Sequence, residues 1–343
     1  MKPALLCAAL IVLAACARPS QPADVGEFQR GVAYTGYSGT AYDGDGPFAS
    51  LDNVKSVNAS WTSILVTGYQ ENINSTSIDF SGPGTPTDAS VERLIRRAHE
   101  IGLKVMLKPH VDLADDSQHY RGEIGPGFTA ADWTAWFASY RPFILHYAAM
   151  AARTGCELFC VGCELGTTAI YAVQWRQIVA AVRGVYAGPL TYADNQVESN
   201  PEAVTWWDAV DFIGQDVYPT LTQVVEPTVE ELSAGWTSFR DKLRRLSERW
   251  GKPLLMTEIG CRSIHGGAQN PWDWQRQGAV DLAVQANFYE AACRAASGQS
   301  WLRGMYWWQW SPDPADGGPG DPGYSPHGKP AEQVLASWYL QLK

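Results

Sequence analysis

The chain has 343 residues, of which 45% are hydrophobic and 18% charged, and its formal net charge at pH 7 is −10. This length and apolar content suit one large α/β domain, and the acidic balance excludes a nucleic acid as the expected ligand. The 15 Trp and 15 Tyr residues favour a cleft whose aromatic side chains bind a neutral ligand.

The N-terminus has the pattern of an export signal. Lys2 precedes an apolar run over residues 4–15, which is too short to span a bilayer, and small residues lead into Cys16. The sequence LAAC at residues 13–16 resembles a bacterial lipobox. An ordinary signal peptide followed by a chance cysteine is the alternative interpretation.

The lipobox predicts three consequences for the mature protein. Residues 1–15 are removed as a lipoprotein signal peptide, Cys16 is lipidated, and residues 16–28 form the lipidated end and a short tether. Ala17 rather than Asp follows the lipidated cysteine, which predicts an exported lipoprotein anchored to the outer membrane. The anchor is the only membrane contact that we expect.

The next signal is a repeated alternation of short apolar runs with longer helical patterns from residue 29 to the end. The strand candidates are residues 30–34, 63–67, 104–109, 157–164, 190–193, 211–216, 254–258 and 303–308. The clearest helical stretches are residues 89–101, 130–153, 171–186, 229–250, 278–296 and 331–342. Eight parallel strands alternating with helices predict a single-domain (β/α)8 TIM barrel over residues 29–343.

The connections of this predicted barrel are asymmetric. The segments before strands are short, whereas those after strands are long, as at residues 36–47, 68–86, 110–128, 260–277 and 309–329. In a (β/α)8 barrel the segments after the strands build the active face. The sequence therefore predicts a functional site at the carboxyl ends of the strands.

Two of the buried strands deliver a carboxylate to that face, one ending at Glu164 and the other at Glu258. For a single glutamate at a strand end, a salt bridge is as good an explanation as catalysis. Two glutamates at one barrel mouth suit glycoside hydrolysis. One carboxyl group must be protonated to release the leaving alcohol, and the other must be ionised to attack the anomeric carbon. We predict these two residues as the catalytic pair.

Further polar and aromatic residues gather at the strand ends or on the long loops. The predicted substrate-binding residues are Tyr34, Lys108, His110, Tyr120, Asn195, Asp216, Tyr218, Arg262, Trp272, Trp308 and Trp310. We find no phosphate-binding glycine loop and no zinc pattern, and the acidic turns at residues 43–46 and 313–321 lack the full spacing of a calcium loop. No cofactor or metal is predicted.

Five cysteines follow the tether, namely Cys156, Cys160, Cys163, Cys261 and Cys293. Their odd number leaves at least one thiol unpaired. On a regular strand Cys156 and Cys160 face one side and Cys163 the other, so they cannot converge on a metal. We interpret them as small buried residues.

The mature chain from about residue 30 to 339 resembles glycoside hydrolase family 113. The motifs that carry the resemblance are RGVAY at 30–34, KPHV at 108–111, YRGEI at 120–124, GCEL at 162–165, DFIG at 211–214 with YP at 218–219, TEIG at 257–260 and YWW at 306–308. The resemblance implies an endo-β-1,4-mannanase of the retaining clan A type. It also implies that Glu164 is the acid/base and Glu258 the nucleophile, that Tyr218 orients the nucleophile, and that Trp308 forms the floor under the reacting sugar.

The chain departs from a common clan A pattern at one position. Many of those enzymes place Asn immediately before the acid/base, where it binds the 2-hydroxyl of the sugar, but this chain has Cys163. A thiol is a weaker hydrogen-bonding group than an amide. The sugar preference is therefore open at this position, with Asn195 as the alternative source of the contact.

We thus predict a monomeric retaining glycoside hydrolase that cleaves β-linked poly- or oligosaccharides by double displacement, most similar to an endo-β-1,4-mannanase. The alternative within this class is a hydrolase of another β-glycan, such as a glucan or an amino-sugar polymer. The alternative outside it is a surface lipoprotein that binds glycans without cleaving them.

Overall fold

The computed structural model describes residues 26–115, 117–195, 197 and 199–343. The predicted signal peptide, Cys16 and the first part of the tether lie outside the described residues. Within the described part of the chain, no helix combines the length and the apolarity that crossing a membrane requires.

Eight parallel strands close into one barrel in chain order, which confirms the predicted (β/α)8 fold. The strands are β1 (Gln29–Tyr34), β2 (Trp61–Gln70), β3 (Lys104–Leu113), β4 (Leu158–Cys163), β5 (Leu190–Asp194), β6 (Phe212–Val217), β7 (Leu254–Ile259) and β8 (Leu302–Trp310). Each predicted strand is present, and β2, β3 and β8 extend two or more residues beyond their predicted ends.

Seven α-helices surround the described barrel. They are α1 (Gly46–Ser56), α2 (Asp88–Glu100), α3 (Ala130–Thr154), α4 (Ala172–Arg183), α5 (Val229–Trp250), α6 (Leu282–Ala296) and α7 (Pro330–Tyr339). Helix α1 was not among the clear sequence candidates. Between β5 and β6 the described chain forms only the short 3₁₀ turn Trp207–Ala209.

Helix α3 shows how local sequence sets these boundaries. Its N-cap Thr129 accepts a hydrogen bond from the backbone of Asp132, and the Asp132 carboxylate accepts one from the Thr129 backbone. The helix ends at Gly155, whose φ of 75° lies in the left-handed region that glycine tolerates best.

The apolar residues form two layers. A small cluster fills the barrel interior and includes Met106, Leu158, Cys160, Cys163 and Leu255. A much larger cluster lies between the strands and the helices and includes the outward-facing side chains of the same strands. All five cysteines of the described chain are buried free thiols.

Register shifts in two strands re-aim the side chains beside the predicted catalytic pair. In β4 the pairing with β5 shifts between Cys160 and Cys163, and both thiols belong to the interior cluster. The strand alternation that we assumed from the sequence is therefore wrong at Cys163, because a bulge adds a residue to one strand and turns the next side chain around. In β7 the pairing shifts beside Glu258, which is aligned with Asp216 of β6.

Candidate active site

Glu164 follows directly after β4 at the carboxyl end of the barrel. Its Oε2 atom accepts a 2.8 Å hydrogen bond from Arg121 Nη1, and its Oε1 atom accepts a 3.2 Å bond from Asn195 Nδ2. Its backbone has a φ of 53°, a left-handed conformation that is uncommon for a residue with a side chain. Strained backbone of this kind is concentrated at functional sites, where surrounding contacts hold it in place.

Glu258 lies in β7 and is almost completely buried. Its Oε1 atom is 2.5 Å from Lys108 Nζ, and its Oε2 atom accepts a 2.8 Å hydrogen bond from the Tyr218 hydroxyl. Lys108 Nζ is also 3.2 Å from Asp216 Oδ1, so one ammonium group bridges two carboxylates. Each oxygen atom of Glu258 thus has its own donor.

The thiol of Cys163 lies between the two glutamates. Its Sγ atom is 4.0 Å from Glu258 Oε1 and within 4.8 Å of a carboxylate oxygen of Glu164. The nearest oxygen atoms of the two carboxylates therefore lie no more than about 9 Å apart, an upper bound that covers the spacings of both retaining and inverting glycosidase pairs. The thiol donates a hydrogen bond to Asp216 Oδ2 at 3.3 Å.

The electrostatics of the two glutamates differ. Burial and the negative charge of Glu258 raise the pKa of Glu164, and Arg121 opposes this change. Burial and the charge of Asp216 raise the pKa of Glu258, and Lys108 and Tyr218 oppose it. Both cations are shared, Arg121 with Asp112 and Lys108 with Asp216. The two donors are closer to Glu258, at 2.5 and 2.8 Å, than to Glu164, at 2.8 and 3.2 Å. The ionised state is therefore better stabilised at Glu258, and the proton is better held at Glu164.

The neighbouring cation and imidazole have fixed protonation states. Burial lowers the pKa of Lys108, but Asp216 and the other negative neighbours outweigh it and raise that pKa well above its ordinary value. Burial, together with Arg121 and Lys108, holds the pKa of His110 well below its usual range. The lysine is thus charged and the histidine neutral. The arrangement can keep one carboxyl protonated and the other ionised, as glycosidic bond cleavage requires.

The sequence profile of Glycoside Hydrolase Family 113 matches residues 32–329. The chain belongs to this family. It is a glycoside hydrolase, and its substrate is a carbohydrate.

Solved structures of family 113 enzymes are similar over almost the whole chain. The β-mannanase AaManA from Alicyclobacillus acidocaldarius, in complex with ManMIm, is 35% identical, with a TM-score of 0.82 over 92% of this chain and 98% of that one. A second structure, a complex of a family 113 β-1,4-mannanase, is 28% identical, with a TM-score of 0.83 over 92% of this chain and 99% of that one.

More distant comparisons concern the fold alone. The β-glucuronidase from Ruminococcus gnavus is 14% identical, with a TM-score of 0.59, and the match covers 91% of this chain and 50% of that one. Among the curated protein sequences, none matches this chain significantly.

In this chain, several of the predicted binding residues lie beside the catalytic pair. The Nε2 atom of the neutral His110 ring is 3.8 Å from Glu258 Oε1. Neither ring nitrogen has a hydrogen-bond partner among the described residues. The ring of Trp308 is nearly parallel to it, with centroids 6.3 Å apart. Asn195 reaches both Glu164 and the hydroxyl of Tyr120. These side chains leave polar atoms and ring faces for a sugar.

Two of the predicted substrate-binding residues are corrected by the structure. Tyr34 is fully buried, stacks on Tyr42 in the layer between strands and helices, and donates its hydroxyl to the Pro47 carbonyl. Trp310 belongs to the same layer and lies beside His327. Because neither ring is accessible, neither contacts a substrate. The position of a residue at a strand end does not by itself predict whether its side chain faces the cleft or the surrounding helices.

Three further predicted binding residues, Asp216, Arg262 and Trp272, differ in their contacts and exposure. Asp216 is buried, and both its oxygen atoms accept bonds from protein groups, so it positions Lys108 rather than binding sugar directly. Arg262 donates to the backbone carbonyls of its own long loop, at Trp274 and Arg276. Trp272, on the same loop, has a side chain that is 59% exposed.

Arg121 is a site residue that the sequence reasoning missed. It lies in the 3₁₀ turn Arg121–Glu123 after β3, and it is held by Val111, Asp112 and Glu164. The motif YRGEI contains it, which was the available signal, but the sequence does not show which charged residue of a long loop folds back onto the barrel mouth.

Proposed function

We propose that the chain is a retaining endo-β-1,4-mannanase in which Glu164 is the acid/base and Glu258 is the nucleophile. The observation that carries this proposal is the difference in hydrogen-bond length at the two carboxylates: Lys108 and Tyr218 lie 2.5 and 2.8 Å from Glu258, whereas Arg121 and Asn195 lie 2.8 and 3.2 Å from Glu164. The 35% identity to a family 113 β-mannanase supports the choice of substrate.

In the first step, a carboxylate oxygen of Glu258 attacks the anomeric carbon as the bond to the leaving sugar breaks. Glu164 gives its proton to the departing oxygen, so the leaving group departs as an alcohol. The raised pKa of Glu164, caused by burial and by the charge of Glu258, keeps that proton available.

In the second step, Glu258 is an ester and has lost its negative charge. This loss removes one of the causes that raise the pKa of Glu164, so Glu164 is ionised and can take a proton from water. The water oxygen attacks the anomeric carbon from the side that the leaving group vacated, and the Glu258 carboxylate is released. Two inversions give net retention.

A second substrate class has one observation in its favour. Cys163 stands where many related enzymes have an asparagine that contacts the 2-hydroxyl, and its thiol donates to Asp216 instead. Mannose and glucose differ in the orientation of that hydroxyl. A glucan or another β-glycan is therefore the competing substrate, and the substrate panel below separates it from mannan.

The test is hydrolysis of a panel of β-linked polysaccharides, with products sized and their anomeric configuration followed by ¹H NMR. We expect mannan cleavage to internal fragments whose first-formed reducing ends are β. A first-formed α product overturns the retaining mechanism, and cleavage of another glycan alone overturns the substrate.

The roles of the pair are tested by substitution. We expect Glu258→Ala to lose activity entirely but to remain folded, because Lys108 keeps Asp216 as its charged partner. Glu248→Ala, which removes an exposed carboxylate paired with Arg244, is the matched control and should keep full activity. Residual turnover by the Glu258 variant at the wild-type rate refutes the nucleophile assignment.

We also propose that the enzyme is a lipoprotein anchored to the outer membrane through Cys16. The lipobox sequence at residues 13–16 supports this localisation. In a Gram-negative host, Cys16→Ser should move the protein from the outer-membrane fraction to the soluble fraction. An unchanged distribution contradicts the anchor.

A further inference from the structure

Asp216 is a buried carboxylate of β6 whose two oxygen atoms both accept hydrogen bonds from protein groups. Its Oδ1 atom accepts a 2.7 Å bond from the Thr257 hydroxyl, and its Oδ2 atom accepts a 3.3 Å bond from the Cys163 thiol. Lys108 Nζ lies 3.2 Å from Oδ1 and 3.3 Å from Oδ2. Neither step of the proposed reaction uses this carboxylate directly.

These contacts suit an ionised Asp216. Each oxygen atom accepts from two donors, and a proton on either oxygen would forfeit at least one of these bonds. Burial raises the pKa of Asp216, but the charge of Lys108 opposes it, and the Thr257 hydroxyl and the Cys163 thiol also lower that pKa. Asp216 is thus an anion that shares the ammonium group of Lys108 with Glu258.

The reaction removes a negative charge from beside Lys108. As Glu258 forms the ester, the bond from the anomeric carbon to the leaving oxygen breaks, and Glu164 gives that oxygen its proton. The negative charge therefore passes from Glu258 to Glu164, whose ion-pair partner is Arg121 at 2.8 Å. Lys108 is left beside a neutral ester.

This loss of charge would be costly if Glu258 were the only anion at the lysine. The Lys108 side chain is fully buried, and a buried ammonium group without a counter-charge is strongly destabilised. At 2.5 Å from Glu258, Lys108 also stabilises the carboxylate that must give up its charge. Burial and the negative charge of Asp216 act in the opposite sense, because both raise the pKa of Glu258 and so favour its uncharged form.

We propose that Asp216 is a positioning residue that serves as the counter-charge of Lys108 while Glu258 is esterified. Its carboxylate stays bound to the ammonium group when the charge of Glu258 is lost, so the buried lysine is never without an anion. The inference rests on the proposed function, because it gives Asp216 a part in the formation of the ester at Glu258.

Other titratable groups face Glu258, and most of them do not change charge at the acidic side of the pH profile. They are His110 of β3, Cys163 of β4, Glu164, Arg121, and the phenols of Tyr37, Tyr218 and Tyr324. Near the acidic limb the thiol and the phenols are protonated, since their ordinary pKa values lie far above it. His110 is held neutral by burial and by the neighbouring cations, and Glu164 is protonated as the acid. Asp216 and Glu258 are the carboxylates that remain.

The test is Asp216→Asn, which removes the charge and keeps the shape of the side chain. A 2-deoxy-2-fluoro-β-mannobioside with a dinitrophenyl leaving group forms a slowly hydrolysed glycosyl-enzyme, so the formation and the hydrolysis of the ester have separate rate constants. Dinitrophenolate needs no proton from Glu164, which isolates the step at Glu258. The acidic limb of kcat/KM is measured on a nitrophenyl β-mannobioside. Asp211→Asn is the matched control, because it removes an aspartate paired with Arg183 just before β6 begins.

Without Asp216, Lys108 binds the Glu258 carboxylate alone and lowers its pKa. We expect the acidic limb of kcat/KM to move to lower pH by about one unit or more, because Glu258 must be ionised to attack. Formation of the ester should slow about tenfold, because the carboxylate gives up a charge that is better stabilised. Hydrolysis of the ester restores that charge, so its rate constant should be unchanged or higher. Asp211→Asn should change none of these quantities.

Thr257→Val is the second variant, and it decides the proposal if the melting temperature shows that Asp216→Asn is not folded. It keeps the shape of the side chain and removes the 2.7 Å donor to Asp216. Because this bond lowers the pKa of Asp216, its loss leaves less of Asp216 charged at the acidic limb. The limb should move to lower pH, by less than in Asp216→Asn.

Three results overturn the proposal: a limb that stays in place or moves to higher pH, equal losses in the formation and hydrolysis of the ester, or the same changes in Asp211→Asn. Failure of the proposed function is seen separately in the wild type. Mass spectrometry of the trapped wild type locates the ester, and a label on a residue other than Glu258 refutes the nucleophile assignment. If the wild type cleaves another β-glycan, the fluorinated glycoside of that sugar replaces the mannobioside in every measurement, and the same comparison decides the role of Asp216.

Discussion

Lys108 Nζ lies 2.5 Å from Glu258 Oε1, with the lysine side chain fully buried and the glutamate side chain only 5% exposed. The same ammonium group is 3.2 Å from Asp216 Oδ1. Removing one member of a buried ion pair leaves an uncompensated charge and typically costs about 3–5 kcal/mol. Lys108 therefore holds the Glu258 carboxylate in place and favours its ionised form.

The first prediction concerns Lys108→Met. Burial and Asp216 already raise the pKa of Glu258, and Lys108 opposes them, so its loss raises that pKa further. Because Glu258 must be ionised to attack, the acidic limb of the kcat/KM profile should move to higher pH by about 1–3 units. Lys55→Met, which removes an exposed ammonium bound to the Gly102 carbonyl, is the control. An acidic limb at the wild-type pH speaks against the assigned role.

The second prediction concerns the other donor to Glu258. Tyr218→Phe removes a 2.8 Å hydrogen bond to a carboxylate, and such bonds contribute about 1.5–3 kcal/mol. We expect kcat/KM to fall roughly 10–100-fold, measured by steady-state kinetics, with little change in melting temperature.

The control for this tyrosine is Tyr339→Phe. It removes a buried hydroxyl that donates to the Gly31 carbonyl at 2.6 Å, outside the catalytic pair. We expect a stability loss of about 1 kcal/mol there and unchanged kcat/KM. If the two variants lose activity equally, the effect of Tyr218 is structural.

Much of the fold follows from the sequence. The eight apolar runs predict the barrel because parallel strands are buried on both faces. The asymmetry of loop lengths then places Glu164 and Glu258 at one end, since the segments after the strands build the active face. Both conclusions need only hydrophobic pattern and topology, which a sequence displays directly.

The details of the site depend on tertiary structure. Simple alternation predicts Cys163 on the side opposite Cys160, but a register shift in β4 turns both inward. Simple alternation also does not predict that Tyr34 packs in the layer between strands and helices instead of facing the cleft. Arg121 reaches Glu164 from a loop whose path is set by packing. Each of these facts depends on contacts between distant segments, which residue patterns do not encode locally.

The third prediction concerns the support beneath the active-face loops. Lys329 is buried, and its ammonium group is 2.7 Å from Asp321, 2.9 Å from the Ser263 hydroxyl and 3.1 Å from the Gly323 carbonyl. It therefore joins the loop after β7 to the loop after β8. Lys329→Met leaves Asp321 without its cation and should lower stability by about 3–5 kcal/mol.

Thermal and urea unfolding measure this loss. Because neither Glu164 nor Glu258 is among the described partners of Lys329, we expect the pH dependence of kcat/KM in the folded variant to match the wild type. Lys104→Met is the control: Lys104 is exposed at the start of β3, its ammonium group lies 5.6 Å from the Trp61 ring, and its loss should cost no more than about 1 kcal/mol. A Lys329 variant as stable as the wild type shows that the two loops are held together by other contacts.

The last prediction concerns the alkaline side of the pH profile, which Arg121 controls through Glu164. Arg121 Nη1 is 2.8 Å from Glu164 Oε2, and its positive charge lowers a pKa that burial and Glu258 raise. Arg121→Gln removes that charge, so the pKa of Glu164 should rise. Glu164 must be protonated to release the leaving group, and activity is lost as the pH rises through its pKa. The alkaline limb of kcat/KM should therefore move to higher pH, by about one unit or more. Arg176→Gln removes an arginine paired with exposed Asp208 and should leave the limb in place. A limb that moves to lower pH, or does not move, contradicts Glu164 as the proton donor under the control of Arg121.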